Sequence, residues 1–191
     1  MLQGHAFHSF LQPGLRSEGP YVLSQFVGGM PPAIFLFLTG VTLAFLMSSN
    51  ERKGLSQLEK VWSAAKRAGY LFALAFAFRA QMWIFGWPAS PWTDLFRVDI
   101  LNCMGLAILL MSVMAVFRAR DRVRLCGILG AAIAAASPVV SQINWSWAPA
   151  AVRAYLVPDY NFFGFFPWAA FLAFGISAGT VLRLLPHEAT D

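Results

Sequence analysis

Residues Phe26–Met47 read FVGGMPPAIFLFLTGVTLAFLM, a stretch without a single charged side chain. A helix that crosses the hydrocarbon core of a bilayer needs about 20 apolar residues. A helix packed on a water-soluble core would instead carry a polar stripe at a period of 3.6, and this run carries none. It reads as a transmembrane helix, with Pro31 and Pro32 near its start and Gly40 inside it.

Composition agrees. The 191 residues are 58% hydrophobic and 12% charged, with a mean hydropathy of +0.60, whereas soluble domains have about 45–50% apolar and about 25% charged residues. The fold class expected is all-α: a polytopic membrane helix bundle of about five transmembrane helices plus an interfacial amphipathic helix, forming a single membrane domain over 1–191. The net charge of +5 does not point to nucleic acid, because the basic residues sit in short loops between apolar runs, a pattern of membrane topology. Cys103 and Cys126 fall in or beside apolar runs and read as small apolar residues, neither a disulfide nor a metal pair.

Outward from the opening stretch, residues 1–25 read as an outer segment and loop. Met1–Leu11, with His5 and His8, is too short to span and reads as the last turns of a helix or as an interfacial segment; Gln12–Ser24, with Pro13, Gly14, Gly19 and Pro20, reads as a loop. The opening MLQGHAFHSF lacks the basic and long apolar regions of a signal peptide, so insertion is expected to rely on the first span or on an upstream segment. Ser48–Arg67 places Leu55, Leu58, Val61 and Trp62 at helical spacing among basic residues and predicts the interfacial helix. Further spans are expected at about 68–85, 98–117, 125–143 and 162–185, with Arg118–Arg124 as a tight basic loop. The last span holds Gly175 and Gly179, a GxxxG pair that admits a close helix neighbour.

Loop charges orient the bundle. Arg52, Lys53, Lys60, Lys66, Arg67, Arg118, Arg120, Arg122, Arg124 and Arg183 share one side; Arg16, Arg97 and Arg153 share the other. The positive-inside rule assigns the first group to the cytoplasm. His5, His8, the Trp87–Arg97 loop and the Asn144–Asn161 loop then share the outer face. Five spans leave the N-terminus outside, and the expectation is an additional helix upstream.

Few side chains could carry chemistry. Arg79 lies inside the second span, where a charge costs about 2.5–3.5 kcal/mol on insertion scales. It either lines a polar cavity and binds phosphate or carboxylate, or snorkels outward or pairs with a structural acid. Asp99 and Asn102 sit one turn apart at the start of the third span. They either orient a catalytic group or substrate hydroxyl, or cap the helix. His5 and His8, three residues apart, suit general-base work. No third ligand stands at metal spacing, so no metal is expected. Asp159 reads as a turn acid and His187 as a solvated tail residue. No Gly-rich phosphate loop, GxSxG or HExxH is present.

The order QGHAFHSF, GGMPPAIFLFLTGVTLAF, KRAGYLFAL, RVDILNCMGLAILL and FFPWAAFLAFGISAG resembles the bacterial members of the heparan-alpha-glucosaminide N-acetyltransferase-like family of membrane acyltransferases. The resemblance covers most of the chain. It implies transfer of an acetyl or other acyl group from acyl-CoA, typically acetyl-CoA, to a carbohydrate or glycolipid acceptor on the outer face. The family's histidine matches His5, not His8. Carried over, His5 would be catalytic, as base toward the acceptor or as transient acyl carrier, with Asp99 beside it. Asn102 would shape the site near them; Arg79 and His8 are taken as substrate-binding candidates. Family members begin with a complete first helix and have more spans, so the resemblance also implies an N-terminally truncated chain. The partners expected are the lipid bilayer, the acceptor and, through the GxxxG and aromatic faces, further copies of the chain; the location expected is the bacterial inner (plasma) membrane. A non-enzymatic membrane subunit or small transporter, with Arg79 and Asp99 lining a polar pathway, or an inactive fragment of the acyltransferase, is the alternative.

Overall fold

The computed structural model describes residues 10–15, 19–157 and 163–185. Among them there is no strand. Five helical segments are long and apolar enough to cross a membrane: Met30–Arg52, Gln57–Phe85, Trp92–Val116, Ala119–Gln142 and Phe165–Leu184. Backbone contacts group the chain into two compact units, Met1–Phe35 and Leu36–Asp191. The first holds the 3-10 turn Pro13–Leu15 and the opening of helix α1, Gly19–Arg52. This helix starts well before Phe26, so residues 19–24 are helical rather than loop. Pro20 is no obstacle there, because the N–H it lacks would be unpaired in the first turn anyway.

The second unit holds the rest of α1 with α2 (Gln57–Phe85), α3 (Ile100–Met111), α4 (Ala119–Gln142), α5 (Ala150–Leu156) and α6 (Phe165–Leu184). The 3-10 turns Trp92–Phe96 and Ser112–Val116 flank α3. Helices α1 and α6 run in the same direction: Gly40 lies against Gly175 and Ile176, and Val41 and Ala44 lie against Gly179. Helix α4 runs antiparallel to α6, with the Ser177 hydroxyl donating to Val123 O at 2.9 Å and Gly130 under the Phe174 ring. Leu36, Leu43 and Met47 of α1, Ile108 and Met111 of α3, and Leu172 and Ile176 of α6 are sealed at the centre. Helix α2 buries Ala64, Ala68 and Ala75, one small-residue face, and leaves most of its aromatic surface exposed.

This packing follows from the solvent. Lipid tails are as apolar as leucine, so helices associate through close fit and small residues rather than through the hydrophobic effect. Gly175 and Gly179 are both buried against α1 of the same chain. The GxxxG pair is therefore consumed inside the bundle and offers no surface for a further copy.

The amphipathic stretch 48–67 takes a different form from the one expected. Helix α1 carries on to Arg52, and the chain turns at Gly54, whose φ of +69° is open to glycine and strained for other residues. Ser56 then caps α2 with a capping box: its hydroxyl accepts from Glu59 N, and the Glu59 carboxylate accepts from Ser56 N at 2.8 Å. No proline stands between Gln57 and Phe85, so the amphipathic residues form the first turns of α2 rather than a separate helix. At 1.5 Å per residue α2 is about 43 Å long against a hydrocarbon core of about 30 Å, leaving room for Leu58, Trp62 and Lys66 beyond it. The Lys66 ammonium lies 5.7 Å from the centre of the Trp62 ring.

Arg118–Arg124, expected as a basic loop, is mostly helix. The 3-10 turn ending at Val116 leaves only Phe117 and Arg118 before α4 begins at Ala119.

Candidate functional site

The antiparallel pair α2 and α3 brings three of the sequence candidates together. Asp99 is the N-cap of α3. Its Oδ1 accepts from Leu101 N at 3.0 Å and from Asn102 N at 3.4 Å, while Asn102 Oδ1 accepts from Asp99 N at 3.4 Å. The second carboxylate oxygen, Oδ2, lies 3.2 Å from Arg79 Nε on α2. Both readings of Asp99 are thus realised: one oxygen caps the helix and the other holds a cation. The burial cost of Arg79 is partly offset by the opposite charge in the same contact. The side chains are 17% and 26% exposed, so the pair is partly open at the surface rather than sealed in the core.

Asn102 is buried to 2% exposure, and its Nδ2 donates to the Tyr155 hydroxyl at 3.1 Å. Tyr155 lies on the short helix α5. The phenol accepts here and keeps its own proton to donate. Cys103 Sγ, one residue on, donates to Gly164 O at 3.4 Å and ties α3 to the start of α6. Trp83 stands four residues after Arg79, hence on the same face of α2. Arg79 Nε–H is not aligned on the Asp99 oxygen, and neither it nor the Trp83 indole N–H, both buried, has a hydrogen-bond acceptor. A buried donor without an acceptor is rare in folded proteins and is usually met by an ordered water, an ion or a ligand.

His5, His8, Asp159 and His187 lie outside the described residues, so their geometry adds nothing here. Among the described residues no group of three His, Cys, Asp or Glu side chains could hold a metal ion.

Sequence reasoning missed two contributors. Tyr155 was hidden in a loop read as irregular, with no periodic signal in so short a helix. Trp83 had a signal, the i+4 spacing from Arg79, but stands among apolar residues of the second span. At the opposite end of the bundle the basic cluster also differs from expectation: Arg122 is fully buried. It donates from Nε to Met114 O at 3.2 Å and from Nη2 to Phe117 O at 2.9 Å, and it pairs with Glu51 at the end of α1. The arginine thereby satisfies carbonyls at the C-terminal end of the 3-10 turn, where a cation is favoured.

A family model, the heparan-alpha-glucosaminide N-acetyltransferase catalytic domain, matches residues 1–189. The chain belongs to this family. No curated protein and no solved structure matches it. Membership of the heparan-alpha-glucosaminide N-acetyltransferase family, together with the five apolar helices, makes the chain an integral membrane protein of a membrane acetyltransferase family that uses acetyl-CoA as donor. The match takes in the QGHAFHSF segment as well as Arg79, Asp99, Asn102 and Tyr155.

Proposed function

We propose that this chain moves an acetyl or other acyl group from acyl-CoA, presented at the basic cytoplasmic end, to an amine or hydroxyl of a sugar or glycolipid acceptor at the outer, Asp99 end. The membrane proposed is the bacterial inner membrane. In this reading His5 removes the proton from the attacking acceptor group. The acceptor then adds to the thioester carbonyl, and the tetrahedral oxyanion collapses with expulsion of the CoA thiolate, which takes up a proton. Alternatively His5 first receives the acyl group and passes it on. The observation that supports the reading is the pair of buried donors that make no hydrogen bond, Trp83 Nε1 and Arg79 Nε, the second of which also faces the Asp99 carboxylate at 3.2 Å. Fixed N–H groups of this kind suit a developing oxyanion, and removing one such donor typically costs about 100-fold or more in turnover. Asp99 faces the Arg79 guanidinium, Asn102 holds Asp99 and Tyr155 holds Asn102; His8 joins them as an acceptor-binding residue.

The test is acetyl transfer from acetyl-CoA to glucosamine by the purified chain in detergent, beside His5→Ala and Arg79→Ala. The expected result is loss of turnover in both variants at unchanged yield and helicity. A transporter or scaffold would transfer no acetyl group even as the unmodified chain. An inactive fragment would show no turnover in the unmodified chain.

A further inference from the structure

The polar groups that meet at the Asp99 end of the bundle hold donors in surplus. Each acceptor oxygen among them already faces a donor. Asp99 Oδ1 takes the N–H groups of Leu101 and Asn102, Asp99 Oδ2 faces Arg79 at 3.2 Å, and Asn102 Oδ1 takes the N–H of Asp99. Two donors, Arg79 Nε and Trp83 Nε1, make no hydrogen bond. Tyr155 supplies a third, and the network decides which way it works. A backbone N–H can only donate, so the buried Asn102 amide turns its oxygen to Asp99 N, and its Nδ2 is left facing Tyr155 Oη at 3.1 Å. A flipped amide would set N–H against N–H at Asp99. Nδ2 has no lone pair, so the phenol oxygen accepts and its own proton points elsewhere. Among the described residues nothing accepts that proton. Tyr155 is half-buried on the short helix α5, not sealed in the core.

We infer that Tyr155 is a specificity-determining residue: its Oη–H donates to a hydroxyl oxygen of an amino-sugar acceptor, one that does not itself receive the acyl group. The inference rests on the reading in which the acceptor binds at the Asp99 end, and adds the kind of acceptor that this end selects. Surplus donors beside engaged acceptors suit a ligand rich in oxygen lone pairs. A polyhydroxylated amine offers them; a plain alkyl ammonium, which only donates, does not. A site with a donor placed for a substrate hydroxyl disfavours the analogue that lacks it, because the donor is then left unpaired.

The experiment pairs a change in the protein with a change in the ligand. Glucosamine and its 1-deoxy, 3-deoxy, 4-deoxy and 6-deoxy analogues are titrated calorimetrically into the purified chain in neutral detergent, and into Tyr155→Phe. The unmodified chain is expected to bind glucosamine, and to bind one of the analogues roughly tenfold more weakly, the worth of one neutral hydrogen bond. Tyr155→Phe is expected to bind that analogue and glucosamine equally well. Loss of the acceptor for Asn102 in this variant is a structural effect that weakens all five sugars alike, so it does not reproduce the second result. Should Tyr155→Phe fail to fold, Tyr155→Ala repeats the comparison, since the truncated side chain leaves room for a water on Asn102 Nδ2. The same affinity ratios in the variant as in the unmodified chain would overturn the contact, as would absence of glucosamine binding to the unmodified chain. Acetyl transfer to glucosamine, measured on the same preparations, separates this inference from the reading it rests on. Turnover with unchanged ratios refutes the Tyr155 contact and leaves transfer standing; a ratio abolished by Tyr155→Phe without turnover leaves the contact standing and refutes transfer.

Discussion

Replacing Gly175 by alanine places a methyl group where α1 and α6 touch. The added Cβ would lie on the carbonyl oxygen of Phe37, 2.9 Å from Phe37 C and 3.0 Å from the Gly40 Cα. All three are backbone atoms, which cannot rotate away as a side-chain tip can. The two helices must separate, and with them Leu36, Leu43, Leu172 and Ile176, which are fully buried around this contact. Overpacking typically costs about 1–3 kcal/mol, and a backbone obstacle sets the expectation at the upper end, about 3 kcal/mol. Gly69 supplies the contrast, since nothing lies within 4 Å of a Cβ built there. Alanine at Gly69 should be neutral or stabilising by up to about 1 kcal/mol, through its better helix propensity. The assay is SDS-induced unfolding of the detergent-purified chain followed by helicity, with both variants read against the unmodified protein. If Gly175→Ala proves as stable as Gly69→Ala, the parallel α1–α6 contact is wrong.

Three further substitutions test the polar contacts. Glu51→Ala removes the carboxylate from the fully buried Arg122; breaking such a pair typically costs 3–5 kcal/mol, and the partial exposure of Glu51 lowers the expectation to about 2–3 kcal/mol in the same titration. Tyr155→Phe takes the acceptor from the buried Asn102 Nδ2 and should destabilise by about 1–3 kcal/mol; a neutral result would dissolve the link between α3 and α5. Ser56→Ala opens the capping box of α2 at an exposed position and should cost about 1 kcal/mol, read as a lowered unfolding midpoint with an unchanged slope.

Much of this was legible in the sequence, for physical reasons that differ from residue to residue. Uncharged runs declare membrane-crossing helices, because the backbone in lipid has no option but internal hydrogen bonding. Arg79, Asp99 and Asn102 stood out because charged and amide groups inside or at the mouth of apolar runs are costly. Their meeting was not legible, because it depends on which helices neighbour one another, and neither the ion pair nor the Asn102–Tyr155 bond has a local pattern. Arg122 shows the opposite failure. It lies in the run RARDRVR, whose charge density reads as a solvated loop, yet its position in the first turn of α4 turns it inward to the carbonyls of Met114 and Phe117. The GxxxG pair was visible, but a motif of small residues says only that something packs closely, and here that neighbour is α1. The fate of 48–67 was open for a similar reason, since the same spacing serves an interfacial helix and the exposed first turns of a long span.

The sidedness of transfer gives the sharpest test. The chain is reconstituted into vesicles that hold glucosamine inside, acetyl-CoA is supplied only outside, and acetylated glucosamine is measured in the lumen, with His5→Ala alongside. Acetylated product inside vesicles of the unmodified chain, and none with His5→Ala at equal incorporation, is the expected result. An empty lumen with the folded, correctly inserted chain, or equal product with His5→Ala, would contradict transmembrane acyl transfer through this bundle.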